Sequence, residues 1–292
     1  MDDSATILAR MGPQAGPAGG AQSVDRALAL LPLIGRSPET GIGLSEIVAS
    51  TGLSRPTARR LLLALMRARL IEQDSASRRY MLGEEAYVLG ILAARRFSLL
   101  DVAQDAVQRL ADGSGDTAFL SVRRDAFAVC LQKAEGDFPI RVQALQVGFR
   151  HPLGIGGGSL AMLAALPEEE AARMRALNRD LIAERYPAAT PATLDRLLAE
   201  TRTRGWALNP GLVLKNSWAV GVALHMPDGT VAGALSIAAI DDRMTPLHCE
   251  RLAGLLLAEV PGIEARLREM FARSAVLPGG GLTPDTTNGR ER

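Results

Sequence analysis

Arginine residues are concentrated in one short part of the chain. Residues 54–79 contain seven arginines and two acidic residues, a net charge of +5 in a chain whose net charge is +1. A guanidinium group can pair with phosphate through two parallel hydrogen bonds, and it can bind the edge of a guanine in the same way. This concentration of charge therefore indicates a surface that binds DNA, although a merely solvated amphipathic helix is the simpler alternative.

Two short helices joined by a tight turn are predicted to position these arginines. The first helix starts at Leu44 and stops at Gly52, since glycine tolerates the left-handed backbone of a helix end. The second begins after Ser54, a good N-cap, and its core-facing residues at helical spacing are Ala58, Leu61, Leu62 and Leu65. The polar residues off this face are the predicted DNA contacts: Ser54, Arg55, Thr57, Arg59 and Arg60.

A short β-hairpin is predicted directly after the second helix. Residues 70–73 and 79–82 are strand-like and are joined by the polar turn 74–77. Arg78 and Arg79 belong to this hairpin and are expected to lie near the DNA backbone. A helix-turn-helix followed by a basic hairpin is a winged helix, in which the second helix lies in the major groove.

Composition limits the class of protein. The chain has 292 residues, enough for two domains, and its 47% hydrophobic and 22% charged content is typical of a soluble globular protein. Its two cysteines, Cys130 and Cys249, are far apart, which favours a reducing cytoplasm over a disulfide framework. No apolar run approaches the ~20 residues of a membrane span, and no signal peptide is recognisable. We expect a cytoplasmic protein.

No catalytic or metal-binding motif is found in the sequence. The three histidines, His151, His225 and His248, are isolated from one another and lack metal-ligand spacing, and there is no GxSxG motif. The glycine-rich loop 154–158 lacks the third glycine of a dinucleotide-binding motif, because that position is Ser159, and there is no P-loop. The sequence therefore predicts neither an enzyme nor a bound cofactor or metal.

The motifs SVDRALALL, LSEIVASTGLSRPTARRLLLAL and YMLGEEAYVLG resemble the IclR family of bacterial transcriptional regulators. The similarity continues in HPLGIGGGSLAMLAALPEEE, RTRGWALNPG and NSWAVGVALHMPDGTVAGALSIAAIDDRM, and covers roughly residues 22 to 272. Pro56, Ala58 and the Arg67-Ala68-Arg69 run depart from the more usual family residues, which could change the DNA bases that are read.

The resemblance and the hydrophobic pattern together predict an α+β protein of five segments. These are a disordered leader (1–21), a winged helix-turn-helix domain (22–83), one or two linker helices (84–112), a GAF-like α/β effector and oligomerisation domain (113–274) and a disordered tail (275–292). Within the fourth segment we predict strands at 117–122, 126–133, 141–147, 220–225 and 231–239. Helices are predicted from Ser159, at 168–178 and 195–204, and from Pro246 to about Arg273.

The family resemblance implies a pocket for a small effector, and many members of the family sense small carboxylates. One wall would come from Gly157, Gly158 and Ser159, since exposed N–H groups at a helix N-terminus attract a carboxylate; the alternative is that these glycines only pack against the sheet. The opposite wall would come from Asn209, Ser217, Trp218, Ala219, Ser236 and Ala238. Because Ala219 and Ala238 offer no hydrogen bond, we expect an apolar, aromatic or longer-chain ligand, whereas Trp218 could instead be a core residue.

The sequence thus predicts a transcriptional regulator that binds double-stranded operator DNA as a homodimer or tetramer and responds to a small organic acid. Two alternatives remain open. One is an architectural DNA-binding protein whose C-terminal domain only oligomerises, and the other is an enzyme that carries a vestigial winged helix. The architectural protein would show no change in the stability of its C-terminal domain with any metabolite, whereas an effector-binding regulator would be stabilised, and only the enzyme would turn a substrate over.

Overall fold

The computed structural model describes residues 21–35, 37, 40–94, 99–140 and 144–276. The predicted tail and almost all of the predicted leader lie outside these residues. The N-terminal part of the protein consists of three helices and a hairpin: α1 (Gln22–Ile34), α2 (Leu44–Thr51), α3 (Arg55–Arg67), β1 (Ile71–Gln73) and β2 (Tyr80–Leu82). Among the described helices, none is both long and apolar enough to cross a membrane.

The predicted helix-turn-helix is present. Gly52 ends α2 in the left-handed conformation with a φ of 67°, and the Ser54 hydroxyl accepts a hydrogen bond from the Thr57 N–H at the start of α3. Helix α1 begins directly after Ala21 and continues through Pro32 to Ile34. The four predicted core residues of α3 are all buried against α1 and α2.

The hairpin is antiparallel, with Ile71 opposite Leu82 and Gln73 opposite Tyr80. A β-bridge between Tyr80 and Ile42, a residue just before α2, connects the hairpin to the helices. Two helices follow, α4 (Glu84–Ala94) and α5 (Leu99–Ser114), as expected for the linker region. However, α5 is part of the C-terminal core, because its apolar face packs against the large sheet.

The C-terminal part is built on a six-stranded antiparallel sheet with the order β5-β4-β3-β8-β7-β6. Its strands are β3 (Thr117–Arg124), β4 (Phe127–Ala134), β5 (Arg150–Pro152), β6 (Ala207–Leu214), β7 (Ser217–His225) and β8 (Val231–Ile240). The helices are α6 (Gly157–Ala164), α7 (Glu168–Arg185), α8 (Pro191–Arg204) and α9 (Pro246–Val276), and a short 3-10 helix, Asp241–Arg243, precedes α9.

Side chains point alternately to the two faces of the sheet along each strand. Leu120, Val220 and Ile237 face α5 and α9 and belong to the larger core. Their neighbours Phe119 and Ser236 point to the other side, where α6, α7 and α8 lie. Successive residues of a strand point to opposite faces, so one sheet forms a dry core on one side and the wall of a cavity on the other.

Several predicted elements differ from the structure. The helix expected at Ser159 begins two residues earlier, at Gly157, and α7 continues seven residues beyond its predicted end at residue 178. The strand predicted at 141–147 is wrong for residues 144–147, which are irregular, while 141–143 lie outside the described residues. The edge strand is instead β5, and β6 was not predicted as a strand.

Candidate DNA-binding surface and effector cavity

The outer face of α3 presents the predicted arginines. Arg55, Arg59 and Arg60 are exposed, whereas Leu61 and Leu62 are buried on the inner face. Only Arg55 has a hydrogen bond within the described part of the chain, a long one of 3.4 Å from its guanidinium to the Ser45 hydroxyl. The guanidinium groups of Arg59 and Arg60 are therefore available to phosphates or base edges.

Ser54 and Thr57 mainly stabilise the start of α3. Their hydroxyls lie 2.8 Å apart, and the Thr57 N–H also points to the Ser54 oxygen at 3.4 Å. Both side chains are thus partly occupied by capping the helix, although Ser54 is exposed beside Arg55. Removing an N-cap hydroxyl costs about 1 kcal/mol, so these two residues combine a local structural role with their predicted contact to DNA.

The two arginines of the hairpin differ in their surroundings. Arg78 is exposed, its backbone has a positive φ of 59°, and its side chain has no hydrogen-bond or ion-pair partner among the described residues. Arg79 instead contacts Glu46 of α2 at 2.8 Å and donates to the carbonyl oxygens of Thr40 and Gly41. Arg79 thus connects the hairpin to α2, and its contact with the DNA backbone stays a prediction.

A groove of about 830 Å³ separates α3 from the hairpin. Arg55 and Arg59 line it from the helix, and Arg78 lines it from the hairpin. Glu46 is also at its edge, but Arg79 pairs with that carboxylate. The backbone N–H of Gly43 lowers the pKa of Glu46, burial opposes this shift, and the guanidinium of Arg79 adds to it. The groove therefore keeps a positive potential between its two basic walls.

A second site lies in the C-terminal part, between the sheet and the start of α6. Its cavity is lined by eight of the nine residues that the family resemblance implied: Gly157, Gly158, Ser159, Asn209, Ser217, Ala219, Ser236 and Ala238. The ninth, Trp218, does not line the cavity. It points to the opposite face of β7 and packs against the larger core, which agrees with the alternative that it is a core tryptophan.

The glycines of the loop serve both roles that were considered for them. A Cβ on Gly157 would lie 2.9 Å from the Ala219 Cβ, and a Cβ on Gly221 of β7 would lie 2.4 Å from the Gly157 carbonyl carbon. These contacts show that α6 packs its first turn directly on β7. A Cβ on Gly158 would lie 3.4 Å from the Ser236 hydroxyl oxygen, and Gly158 also lines the cavity.

Two of the polar residues in the cavity already have partners. The Ser159 hydroxyl accepts a hydrogen bond of 2.7 Å from the Gly156 N–H and caps α6. The Asn209 amide donates to the Ile155 carbonyl, and its oxygen accepts from the Leu212 N–H at 2.9 Å. These side chains hold the loop 154–158 against β6, and they shape the cavity more than they offer free hydrogen bonds.

His151 is the cavity residue that sequence reasoning missed. It lies on β5, is only 1% exposed, and neither ring nitrogen has a hydrogen-bond partner among the described residues. Burial lowers its pKa from 6.5 to about 4, so the imidazole is neutral near pH 7. In the sequence only Pro152 and Leu153 separate His151 from the glycine loop, and this closeness to a predicted cavity wall is the signal that could have found it.

The cavity is nearly closed in this state. It encloses about 20 Å³, room for about one water molecule. Pockets for small organic ligands usually measure ~300–1,000 Å³, so an aromatic acid would have to displace lining side chains such as Leu145 and Val213. Binding of a ligand of that size would therefore require an expanded conformation of the site.

Comparison with known proteins assigns both parts of the chain. A sequence model of the IclR helix-turn-helix domain matches residues 23–75, and one of the bacterial transcriptional regulator IclR C-terminal domain matches residues 91–264. The glycerol operon regulatory protein of Streptomyces griseus is 29% identical over 77% of this chain and 87% of its own length. Such relatives are transcriptional regulators and not enzymes.

Solved structures share the fold. The crystal structure of an IclR transcriptional regulator from Alicyclobacillus acidocaldarius has a TM-score of 0.68 and 26% identity, covering 84% of this chain and 98% of that one. An IclR homologue from Microbacterium hydrocarbonoxydans, crystallised in complex with 4-hydroxybenzoate, has a TM-score of 0.66 and 20% identity, covering 85% of this chain and 99% of that one.

Proposed function

Because this chain belongs to the IclR family of DNA-binding transcriptional regulators, we propose that it binds an operator through α3 and the hairpin and that a small acid in the C-terminal cavity controls this binding. The observation that carries the proposal is the exposed row Arg55, Arg59 and Arg60, which faces away from the winged-helix core. Arginine on a recognition helix reads guanine through the major groove, and arginine on a wing pairs with phosphate.

A dimer would give this surface its specificity. A two-fold axis would place two copies of α3 about one DNA turn apart, ~34 Å, and would require a near-palindromic site. The apolar residues of α4 that remain uncovered in the single chain, Tyr87, Leu89, Ile91 and Leu92, support pairing along this helix. In this arrangement residues 22–83 bind DNA and α4 pairs the protomers. The C-terminal part binds the effector and joins dimers into tetramers, and the protein acts in the cytoplasm.

Footprinting on the DNA upstream of the gene tests the operator proposal. The full-length protein should protect two half-sites of related sequence on one face of the duplex, with centres separated by about 10 base pairs or a multiple of that spacing. The variant Arg59→Ala should lose the footprint at concentrations where the wild type protects fully. Uniform weak protection along the fragment, unchanged in the variant, would contradict sequence-specific reading.

We further propose that the effector is a carboxylic acid with an apolar, for instance aromatic, body. The lining combines apolar side chains with the N-terminus of α6, whose unpaired N–H groups favour an anion. The apolar Ala219 and Ala238 support a hydrocarbon body over a two-carbon acid. A protein of the same fold binds 4-hydroxybenzoate, which makes that acid a reasonable first probe.

A thermal-shift and DNA-release screen tests the effector proposal. The panel is pyruvate, succinate, benzoate, phenylacetate and 4-hydroxybenzoate, and unfolding is followed by tryptophan fluorescence, because both tryptophans, Trp206 and Trp218, lie in the C-terminal part. A true effector at 100 times its Kd stabilises the protein by about 2.7 kcal/mol and changes operator affinity. The closed cavity favours one second candidate, an architectural DNA-binding protein, for which no acid would change either quantity.

A further inference from the structure

His151 differs from the other polar residues of the effector cavity in having both ring nitrogens buried and unpaired among the described residues. Leaving a buried polar group without a partner costs free energy, about 1 to 3 kcal/mol for each group. The neighbouring loop adapts to the ring: the position that a Cβ would take on Gly156 is 2.8 Å from His151 Nε2, so only glycine allows this approach. The cavity wall therefore holds an imidazole whose ring nitrogens are available to a ligand.

His151 is also the only titratable residue among the described residues that line the cavity. On the elements packed against it, the nearby charged groups are engaged elsewhere: the Arg150 guanidinium lies 4.3 Å over the Phe127 ring, and Arg123 pairs with Glu170 of α7 at 2.5 Å. Burial raises the pKa of the Cys130 thiol on β4 to about 12, so it stays neutral. A carboxylate in this cavity would find no other charge to pair with.

We propose that His151 is the specificity-determining residue of the effector site, where it binds the acid group of the effector as an imidazolium ion. The ring takes one proton from solvent when the carboxylate enters, and an N–H of the ring then donates to a carboxylate oxygen. This inference rests on the proposed function, since it names the group in that pocket that recognises the acid. The N–H groups of the first turn of α6 would hold the second oxygen, because they lie on the same cavity.

Proton uptake is the property that a merely structural histidine would not show. The test is calorimetric titration of the full-length protein with 4-hydroxybenzoate at about pH 6, in two buffers of different ionisation enthalpy. We expect uptake of close to one proton per acid bound, and affinity that falls about tenfold per pH unit above the pKa of the complex. The neutral analogue 4-hydroxybenzamide should bind with no proton uptake and at least about tenfold more weakly, because it lacks the charge that the imidazolium pairs with.

Two variants separate recognition from folding. His151→Asn keeps a hydrogen-bonding side chain that cannot titrate, so it should abolish proton uptake and the preference for the acid over the amide. The matched control is His225→Asn: this histidine lies at the end of β7, where it contacts Glu264 at 3.1 Å, outside the cavity. The control should behave as the wild type does, and circular dichroism of both variants should match the wild type.

The outcomes distinguish this inference from the proposed function. If 4-hydroxybenzoate and the other acids of the panel neither bind nor change operator affinity, the effector proposal fails and the role of His151 fails with it. If an acid binds and changes operator affinity but takes up no proton, or binds His151→Asn as tightly as wild type, only the present inference is overturned. Uptake of a proton by the wild type and not by His151→Asn supports both.

Discussion

We expect single arginines on α3 to make separable contributions to DNA binding. Arg59 is exposed and lines the groove between helix and hairpin, and it has no partner in the described part of the free protein. Replacing it by alanine should weaken operator binding by about 1 to 3 kcal/mol if it reads a base, or reduce the salt slope by about one if it contacts a phosphate. Fluorescence anisotropy across a salt series distinguishes these two roles.

The matched control for Arg59→Ala is Arg173→Ala. Arg173 is an exposed arginine of α7, far along the chain from the winged helix, and its removal changes the net charge equally. Equal loss of affinity in both variants would mean that only total charge matters, and would contradict a specific role of α3.

The buried His151 makes stability depend on pH. Its pKa is lowered from 6.5 to about 4, so between these values the unfolded chain binds a proton that the folded protein does not. The contribution of neutral His151 to the free energy of unfolding is therefore fully present above pH 6.5. It is lost as the pH drops towards 4, by about 3 kcal/mol in total. His151→Leu should remove this part of the acid sensitivity, measured by urea unfolding with tryptophan fluorescence. Curves for wild type and variant that stay parallel from pH 7 to about pH 4.5 would contradict it.

Residues with local roles could be predicted from the sequence, and those with long-range partners could not. Ser54 and Gly52 bound helices through contacts within a few residues, so their sequence signals were sufficient. Arg79 pairs with a carboxylate 33 residues away, which no local sequence pattern indicates. His151 is close to the glycine loop in sequence, but residues of β6, β7 and β8, far along the chain, complete the cavity around it, so its burial could not be predicted.

At the scale of secondary structure, we expect the hairpin to need Arg79 for its position and Arg78 for its proposed contact with DNA. Arg78→Gly removes the cation and also suits the left-handed backbone at this position, so it should weaken DNA binding and leave the thermal midpoint unchanged. Arg79→Ala should instead increase amide hydrogen exchange in residues 71–82 of the free protein, because the contacts to Glu46 and Gly41 are lost. Equal exchange in both variants would contradict this division.

The uncovered apolar face of α4 gives a prediction about assembly. Tyr87 is 70% exposed and Leu92 is 58% exposed, values that are unusual for neighbouring large apolar residues of one helix. The variant Leu92→Glu should convert a dimer into monomers, as measured by light scattering after size-exclusion chromatography. Leu177→Glu, at a 69% exposed leucine of α7, is the matched control and should leave the dimer intact. Loss of the dimer in both variants, or in neither, would contradict pairing along α4.

Strand β6 shows why part of the sheet escaped prediction. Its sequence ALNPGLVL contains Pro210 and Gly211, which disfavour a regular strand, and its pairing with β7 is interrupted between Asn209 and Leu214. Strands β7 and β8 could be predicted because they alternate and are joined by an Asp-Gly turn. The Asn209 oxygen accepts from the Leu212 N–H inside the irregular part and so replaces part of the missing ladder, while its amide donates to the Ile155 carbonyl of the loop 154–158.

For the whole molecule, effector and operator must be coupled reciprocally. If an acid weakens operator binding by a given factor, the operator must weaken binding of that acid by the same factor, because both pass through one thermodynamic cycle. In the proposed function, an acid can bind only if the nearly closed cavity expands. DNA binding would therefore have to oppose or favour this expansion. Calorimetric titration of the acid into free protein and into the operator complex should give Kd values whose ratio matches the change in operator affinity; unequal factors would contradict this coupling.

The most direct test of sequence-specific DNA binding by the winged helix is the affinity of the purified protein for its upstream DNA and for a scrambled duplex across a salt series. We predict that the upstream site binds at least about 10³-fold more tightly than the scrambled duplex, and that log K falls by ~0.9 per log salt for each phosphate neutralised. Arg59→Ala should reduce either the preference for the upstream site over the scrambled duplex or the slope of log K against log salt. Equal affinity for both duplexes, with and without the acids of the panel, would contradict the assignment of the winged helix as the reader of a specific operator.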